Sequence, residues 1–197
     1  MSADKLVVGL TGMPGSGKSL VVKTAKLKDY EVITMGDVVR EEVTNRGLEM
    51  NPKNAGKVML ELRTEGGEAV IARKCIPKIE QKLGSKIIID GIRSLAEAQI
   101  FQNHFSNFTL IAIHTPPELR FKRLSRRGRG DDPQNFEVFH ERDMRELTVG
   151  LGNAIAMAKH IIINDSTKEK LEHRVRRVLD KIEEDYGDQD GSDSRLY

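Results

Sequence analysis

Residues 12–19 read Gly12-Met13-Pro14-Gly15-Ser16-Gly17-Lys18-Ser19, and this stretch decides the fold. It meets the pattern G-x-x-x-x-G-K-[ST] at every position. Ahead of it, Leu6-Val7-Val8-Gly9-Leu10 is a short apolar run of the kind that forms a buried parallel strand. Behind it, Leu20 to Lys28 holds good helix formers and neither Pro nor Gly. The motif thus sits between a strand and a helix, where its chemistry needs it. Glycines at 12, 15 and 17 allow backbone conformations closed to other residues. Successive N–H groups of residues 12–19, those of Met13 and Ser16 included, can then cradle phosphate oxygens, and the helix N-terminus adds partial positive charge. Lys18 can reach β- and γ-phosphates, and the Ser19 hydroxyl can ligate Mg²⁺. The pattern predicts a nucleotide-phosphate site.

The rest of the chain fits that core. Apolar runs predict strands at Leu6–Leu10, Tyr30–Thr34, Lys86–Asp90, Phe108–His114 and His160–Asn164. Ile87-Ile88-Ile89 and Ile161-Ile162-Ile163 are continuous rather than alternating, which predicts burial on both faces. Helical stretches separate the strands. Ser94-Leu95-Ala96-Glu97 and Ser166-Thr167-Lys168-Glu169 read as capping boxes, and Asp132-Pro133 as N-cap and first-turn proline of a helix striped by Phe136, Phe139 and Leu147. Strand–helix alternation predicts an α/β three-layer sandwich, a five-stranded parallel sheet with helices on both faces. The acidic, aperiodic segment from Asp185 to Tyr197 is expected to be a disordered tail.

Composition narrows the class. The 197 residues suit one domain, and 38% hydrophobic with 31% charged residues suits a soluble globular chain. A net charge of +2 gives no global electrostatic case for nucleic acid or membrane binding. Cys75 is the single cysteine, so no intrachain disulfide forms, which fits a reducing compartment. No apolar run approaches the roughly 20 residues of a membrane span. The start Met1-Ser2-Ala3-Asp4-Lys5 is polar and does not read as a signal peptide, so a cytoplasmic location is expected. The five histidines, His104, His114, His140, His160 and His173, lack metal-ligand spacing and read as structural or surface residues.

Three further clusters carry chemistry. Met35-Gly36-Asp37-Val38-Val39-Arg40 follows the second strand, where ligands bind in open α/β sheets. Asp37 and Arg40 are one helical turn apart and can contact a second ligand, or simply be solvated charges. Asp90-Gly91-Ile92-Arg93 ends the third strand. A carboxylate there needs a partner, and hydrated Mg²⁺ is the natural one beside a phosphate loop; a turn residue is the plainer alternative. Arg93 suits bidentate grip of a phosphate, or is a surface charge. Arg120, Lys122, Arg123, Arg126, Arg127 and Arg129 put six cations in ten residues, followed by Gly130-Asp131-Asp132, Arg142 and Arg145. They read as a solvated face paired to Asp131, Asp132, Glu137 and Glu141, as a nucleic-acid patch, or as a lid closing over a transferring phosphoryl group. The intact phosphate loop favours the lid.

On these motifs the chain resembles the adenylate-kinase-like group of P-loop kinases, which includes nucleoside-monophosphate kinases and dephospho-CoA kinase, and most closely an uncharacterised archaeal family within it. The resemblance runs from about Leu6 to Leu179. It rests on the loop, on Gly36-Asp37-x-x-Arg40, on Asp90-Gly91-Ile92-Arg93 and on the Arg-Gly-Asp-Asp stretch followed by Arg142. Met35 and Ile92 depart from the Thr and Pro of adenylate kinases, and the lid is short without zinc-site cysteines.

The resemblance implies one kinase-like domain over 1–184, with an acceptor-binding helical region at 36–84 and a lid at 116–149. It implies ATP and Mg²⁺ as cofactors and a small nucleotide-like acceptor, most simply a nucleoside monophosphate, with no membrane partner and a monomeric or homodimeric state. Lys18, Arg93, Arg127, Arg129 and Arg142 are then catalytic. Gly12, Met13, Pro14, Gly15, Ser16, Gly17, Lys18 and Ser19 bind the donor. Gly36, Asp37, Arg40 and Arg93 bind the acceptor, and Ser19 and Asp90 hold the metal. Transfer to a sugar hydroxyl, as in dephospho-CoA kinase, is the alternative, with Asp37 as its base. A nucleotide-dependent switch or slow ATPase working through a protein or RNA partner is the rival of another class.

Overall fold

A computed structural model describes residues 5–129 and 132–192, without the side chains of 52 and 188–192. The polar start at 1–4, the Gly130-Asp131 pair and residues 193–197 lie outside the described residues. Five strands form one all-parallel sheet: β1 (Leu6–Thr11), β2 (Glu31–Thr34), β3 (Lys86–Ile92), β4 (Phe108–His114) and β5 (His160–Ile163), in the order β2-β3-β1-β4-β5.

Side-chain alternation divides the core in two. Val7, Ile33, Ile87 and Ile89 point to one face, where they meet α2 (Met35–Asn45), α3 (Pro52–Gly66), α4 (Val70–Glu80) and α5 (Leu95–His104) through Val38, Val58, Ile79 and Phe101. Leu6, Val8, Leu10, Ile88 and Ile113 point to the other. There they pack on α1 (Lys18–Lys26) and α9 (Lys168–Ser192) through Val21, Val175 and Leu179. This is the three-layer α/β sandwich expected. Ile87, Ile88 and Ile89 are fully buried, each contributing about 1.5–3 kcal/mol of apolar burial. Cys75 packs into the first cluster, and burial pushes its thiol up to about 12, which removes it as a nucleophile at neutral pH.

Four expectations need correction. Ile161 and Ile163 are half-exposed, because β5 is the edge strand and only Ile162 reaches the core. Helix α9 is capped by Thr167, whose Oγ1 accepts from Lys170 N, not by Ser166. The helix α7 (Phe136–Thr148) is capped by Asn135, whose Oδ1 accepts from Val138 N at 2.9 Å. Asp132 is drawn away by Arg127, and of the apolar stripe only Phe139 is buried. Finally, α9 continues to Ser192 where a tail was expected from 185; Tyr186 packs on the second core cluster and Asp185 pairs with Lys159. The remaining elements are α6 (Pro117–Arg127) and α8 (Leu151–Ala156). Among the described residues no helix is long and apolar enough to cross a membrane.

Candidate active site

The loop between β1 and α1 is shaped by what surrounds it. Gly12 has φ +150°, and a Cβ there would meet the Ile113 carbonyl oxygen at 2.5 Å. Gly17 has φ +108°, and its Cβ would meet Asn164 Nδ2 at 2.5 Å. Neither position accepts a larger residue without moving backbone or a buried amide. The loop is also braced from the neighbouring strand ends. Ser16 O accepts from Thr115 Oγ1 at 2.9 Å and from Asn164 Nδ2 at 2.7 Å. Arg123 donates to the same two side chains, and Arg120 donates to Pro14 O at 3.3 Å.

A cleft of about 390 Å³ opens over this loop. Gly12, Pro14, Gly15, Gly17, Lys18 and Ser19 form its floor. Met13 supplies a carbonyl to Lys18 and Ser16 is buried beneath, so these two support the floor without lining it. Asp90 and Arg93 enter from the end of β3, Arg127 and Arg129 from the end of α6, and Arg142 from α7. Residues far apart in the chain thus converge on one loop.

The electrostatics follow from this convergence. Lys18 Nζ donates to Gly12 O at 2.6 Å. Burial lowers its pKa to about 8, Asp90 and Glu146 pull it back up, and Arg93 and Arg142 push it further down. Burial also raises the Asp90 carboxyl above its ordinary range, against the pull of Lys18 and Arg93. Asp90 Oδ1 is buried without a hydrogen-bond partner. An orphaned carboxylate oxygen in the cleft that Ser19 also lines fits a hydrated Mg²⁺, whose oxygen-rich shell Asp90 and Ser19 would complete. Among the described residues no group of three His, Cys, Asp or Glu is set to hold a metal unaided.

Asp37 and Arg40 lie elsewhere. They pair with each other, half-exposed, beside a separate depression lined also by Glu41, Thr44 and Asn45. Gly36 sits against the Arg40 guanidinium.

Several residues that shape the site escaped the sequence reading. Thr115 and Asn164 stand just past the ends of β4 and β5, so the strand-end rule that pointed to Asp90 would have found them. Asp143 makes a bidentate pair with Arg120 at 2.8 and 2.5 Å. Glu146 lines the cleft one turn after Arg142, with Arg93 Nη1 at 3.4 Å. Glu97 does not close its capping box onto Ser94 N. Its carboxylate accepts instead from Arg93 N and from Arg63 of α3, both at 2.8 Å.

Comparison with known proteins agrees with this architecture. A family model described as an AAA domain matches residues 11–140. A UPF0200 protein from the archaeon Thermococcus onnurineus is 45% identical over 181 residues, 90% of this chain and 98% of that protein. Shikimate kinase from Bacteroides thetaiotaomicron shares the fold with a TM-score of 0.61 at 16% identity, over 90% of this chain and 98% of its own. Dephospho-CoA kinase from Campylobacter jejuni does so with a TM-score of 0.57 at 15% identity, over 90% and 97%.

Proposed function

Because the chain belongs to the UPF0200 family and has a P-loop kinase fold, we propose that it transfers the γ-phosphoryl group of Mg·ATP to a small, nucleotide-like acceptor. One observation carries this reading: Lys18, Arg93, Arg127, Arg129 and Arg142 line a single cleft over the phosphate-type loop. Phosphoryl transfer proceeds through a loose transition state, so positioned cations supply most of the catalysis. The loop from Gly12 to Ser19 cradles the donor phosphates and Lys18 contacts the β/γ oxygens. Arg127, Arg129 and Arg142 belong to a lid over the transferring group. Arg93 takes the acceptor's anionic group, and Arg40 reaches its far end once the pair with Asp37 opens. Asp90 and Ser19 would hold Mg²⁺, which would supply charge neutralisation for the donor phosphates when bound.

A nucleoside monophosphate is the acceptor favoured by the motifs. Transfer to a hydroxyl, the alternative, gains support from the acidic Glu146 inside the cleft. Incubation with Mg·ATP and a panel of nucleoside monophosphates, nucleosides and dephospho-CoA, scored for transferred against free phosphate, tests the proposal. Transfer to one acceptor class is expected; free phosphate alone, stimulated by RNA or a protein partner, would favour a switch.

The depressed Lys18 gives a pH signature. Its folded pKa of about 8 lies below its ordinary 10.5, so burying the charged amine opposes folding below about pH 8, and that penalty fades between the two values. A polyphosphate beside the amine favours its protonated form. ATP binding at pH ~8.5 should therefore take up protons, and affinity should fall as pH rises past about 8. Calorimetry in two buffers of different ionisation enthalpy reads this directly; equal heats would separate Lys18 from the phosphates.

A further inference from the structure

Among the described residues, Asp90 and Glu146 are the only acids lining the cleft. The metal role proposed for Asp90 leaves Glu146 without a function. The Glu146 side chain is 13% exposed and projects from α7 on the face that carries Arg142. It lines the same cleft as Lys18, whose charged form it favours. Its shortest approach to Arg93 is to Nη1, the same nitrogen that approaches Met59 Sδ of α3 at 3.8 Å. Nη2 and Nε of that guanidinium donate no hydrogen bond among the described residues, so Arg93 can hold Glu146 and an acceptor anion together.

A carboxylate here has opposite consequences for the two acceptor classes. A monophosphate attacks through an oxygen already ionised. It needs no base, and a third negative group between two phosphates would repel both. An alcohol is neutral and must lose a proton as it attacks, which a positioned carboxylate takes.

Resting on the phosphotransferase reading above, we infer that Glu146 is the proton acceptor for transfer to a hydroxyl, and that the acceptor is a small alcohol carrying an anionic group docked on Arg93. The alcohol oxygen forms its bond to Pγ while the bond from Pγ to the β,γ-bridging oxygen breaks. ADP leaves with that electron pair, and the hydroxyl proton passes to the Glu146 carboxylate and then to solvent. Arg93 orients the carboxylate through Nη1 and the acceptor through its other edge.

The test uses the full chain, Glu146→Gln and Glu146→Asp, with Mg·ATP and three acceptor groups: dephospho-CoA and sugar phosphates as anionic alcohols, nucleoside monophosphates, and water alone. ATP binding is measured by calorimetry and products are identified by phosphorus NMR. The expected products are phosphate monoesters. Glu146→Gln should lower kcat on the alcohol by about 10²-fold with ATP affinity unchanged, and Glu146→Asp should recover part of it. Phosphoanhydride products from a monophosphate, formed equally well or faster by Glu146→Gln, would overturn this role and leave the phosphotransferase intact. ATP binding without turnover on any acceptor or on water would overturn the phosphotransferase reading itself.

Discussion

Lys18→Ala should abolish function and leave the fold at least as stable as before. The Lys18 ammonium donates to the Gly12 carbonyl at the floor of the cleft and to the Met13 carbonyl that supports it, where water replaces it. Its depressed pKa means that the surroundings disfavour the charged form, so the native chain holds this cation against a cost. Removing it relieves that cost. Meanwhile the transferring phosphoryl group loses the donor placed where charge develops, which costs on the order of 10²–10³ in turnover. ATP affinity falls too, because the β/γ oxygens lose a charge-assisted bond. Calorimetry with ATP and a thermal melt measure the two sides: weak or no binding, with a melting temperature unchanged or raised. Normal ATP binding in this variant would remove the loop from the proposed mechanism.

The contrast between what the sequence disclosed and what it hid is physical. The loop at 12–19 was legible because its constraints are local. Gly12 and Gly17 answer to positive φ and to atoms a Cβ would strike, and such demands fix residue type at a fixed spacing. Asp90 was legible because a carboxylate ending an apolar strand is costly without a partner. The hidden features depend on which elements become neighbours. Ile161-Ile162-Ile163 has the composition of a central strand, but strand order puts it at the edge. Asp132 and Pro133 have the form of a helix start, but the Arg127 guanidinium and the Arg129 amide claim the carboxylate, and Asn135 caps instead. Nothing in their spacing along one helix singles out Asp143 or Glu146. Only the packing of α7 against α6 and the loop sends Asp143 to Arg120 and Glu146 into the cleft.

Asp143→Ala should be among the most destabilising single changes in this chain. Both members of its pair are nearly shielded from water, with side-chain exposures of 4% for Arg120 and 12% for Asp143. The Arg120 guanidinium also lies 4.9 Å from the Phe139 ring centre, which holds it in an apolar wall. Deleting the carboxylate strands a buried cation that keeps, among the described residues, the Thr115 and Pro14 carbonyls as acceptors. Breaking such a pair from one side costs about 3–5 kcal/mol, a fall in melting temperature of roughly 10 °C for a domain of this size. Replacing both partners has a different outcome. In Arg120→Met/Asp143→Leu no charge is left buried, so most of the melting temperature should return. ATP affinity should not return with it, because a thioether in place of the guanidinium cannot donate to Pro14 O and the loop loses one of its braces. A double variant that recovers stability but binds ATP more weakly than the native chain makes Arg120 a brace of the phosphate loop. Recovery of both would reduce the pair to packing alone.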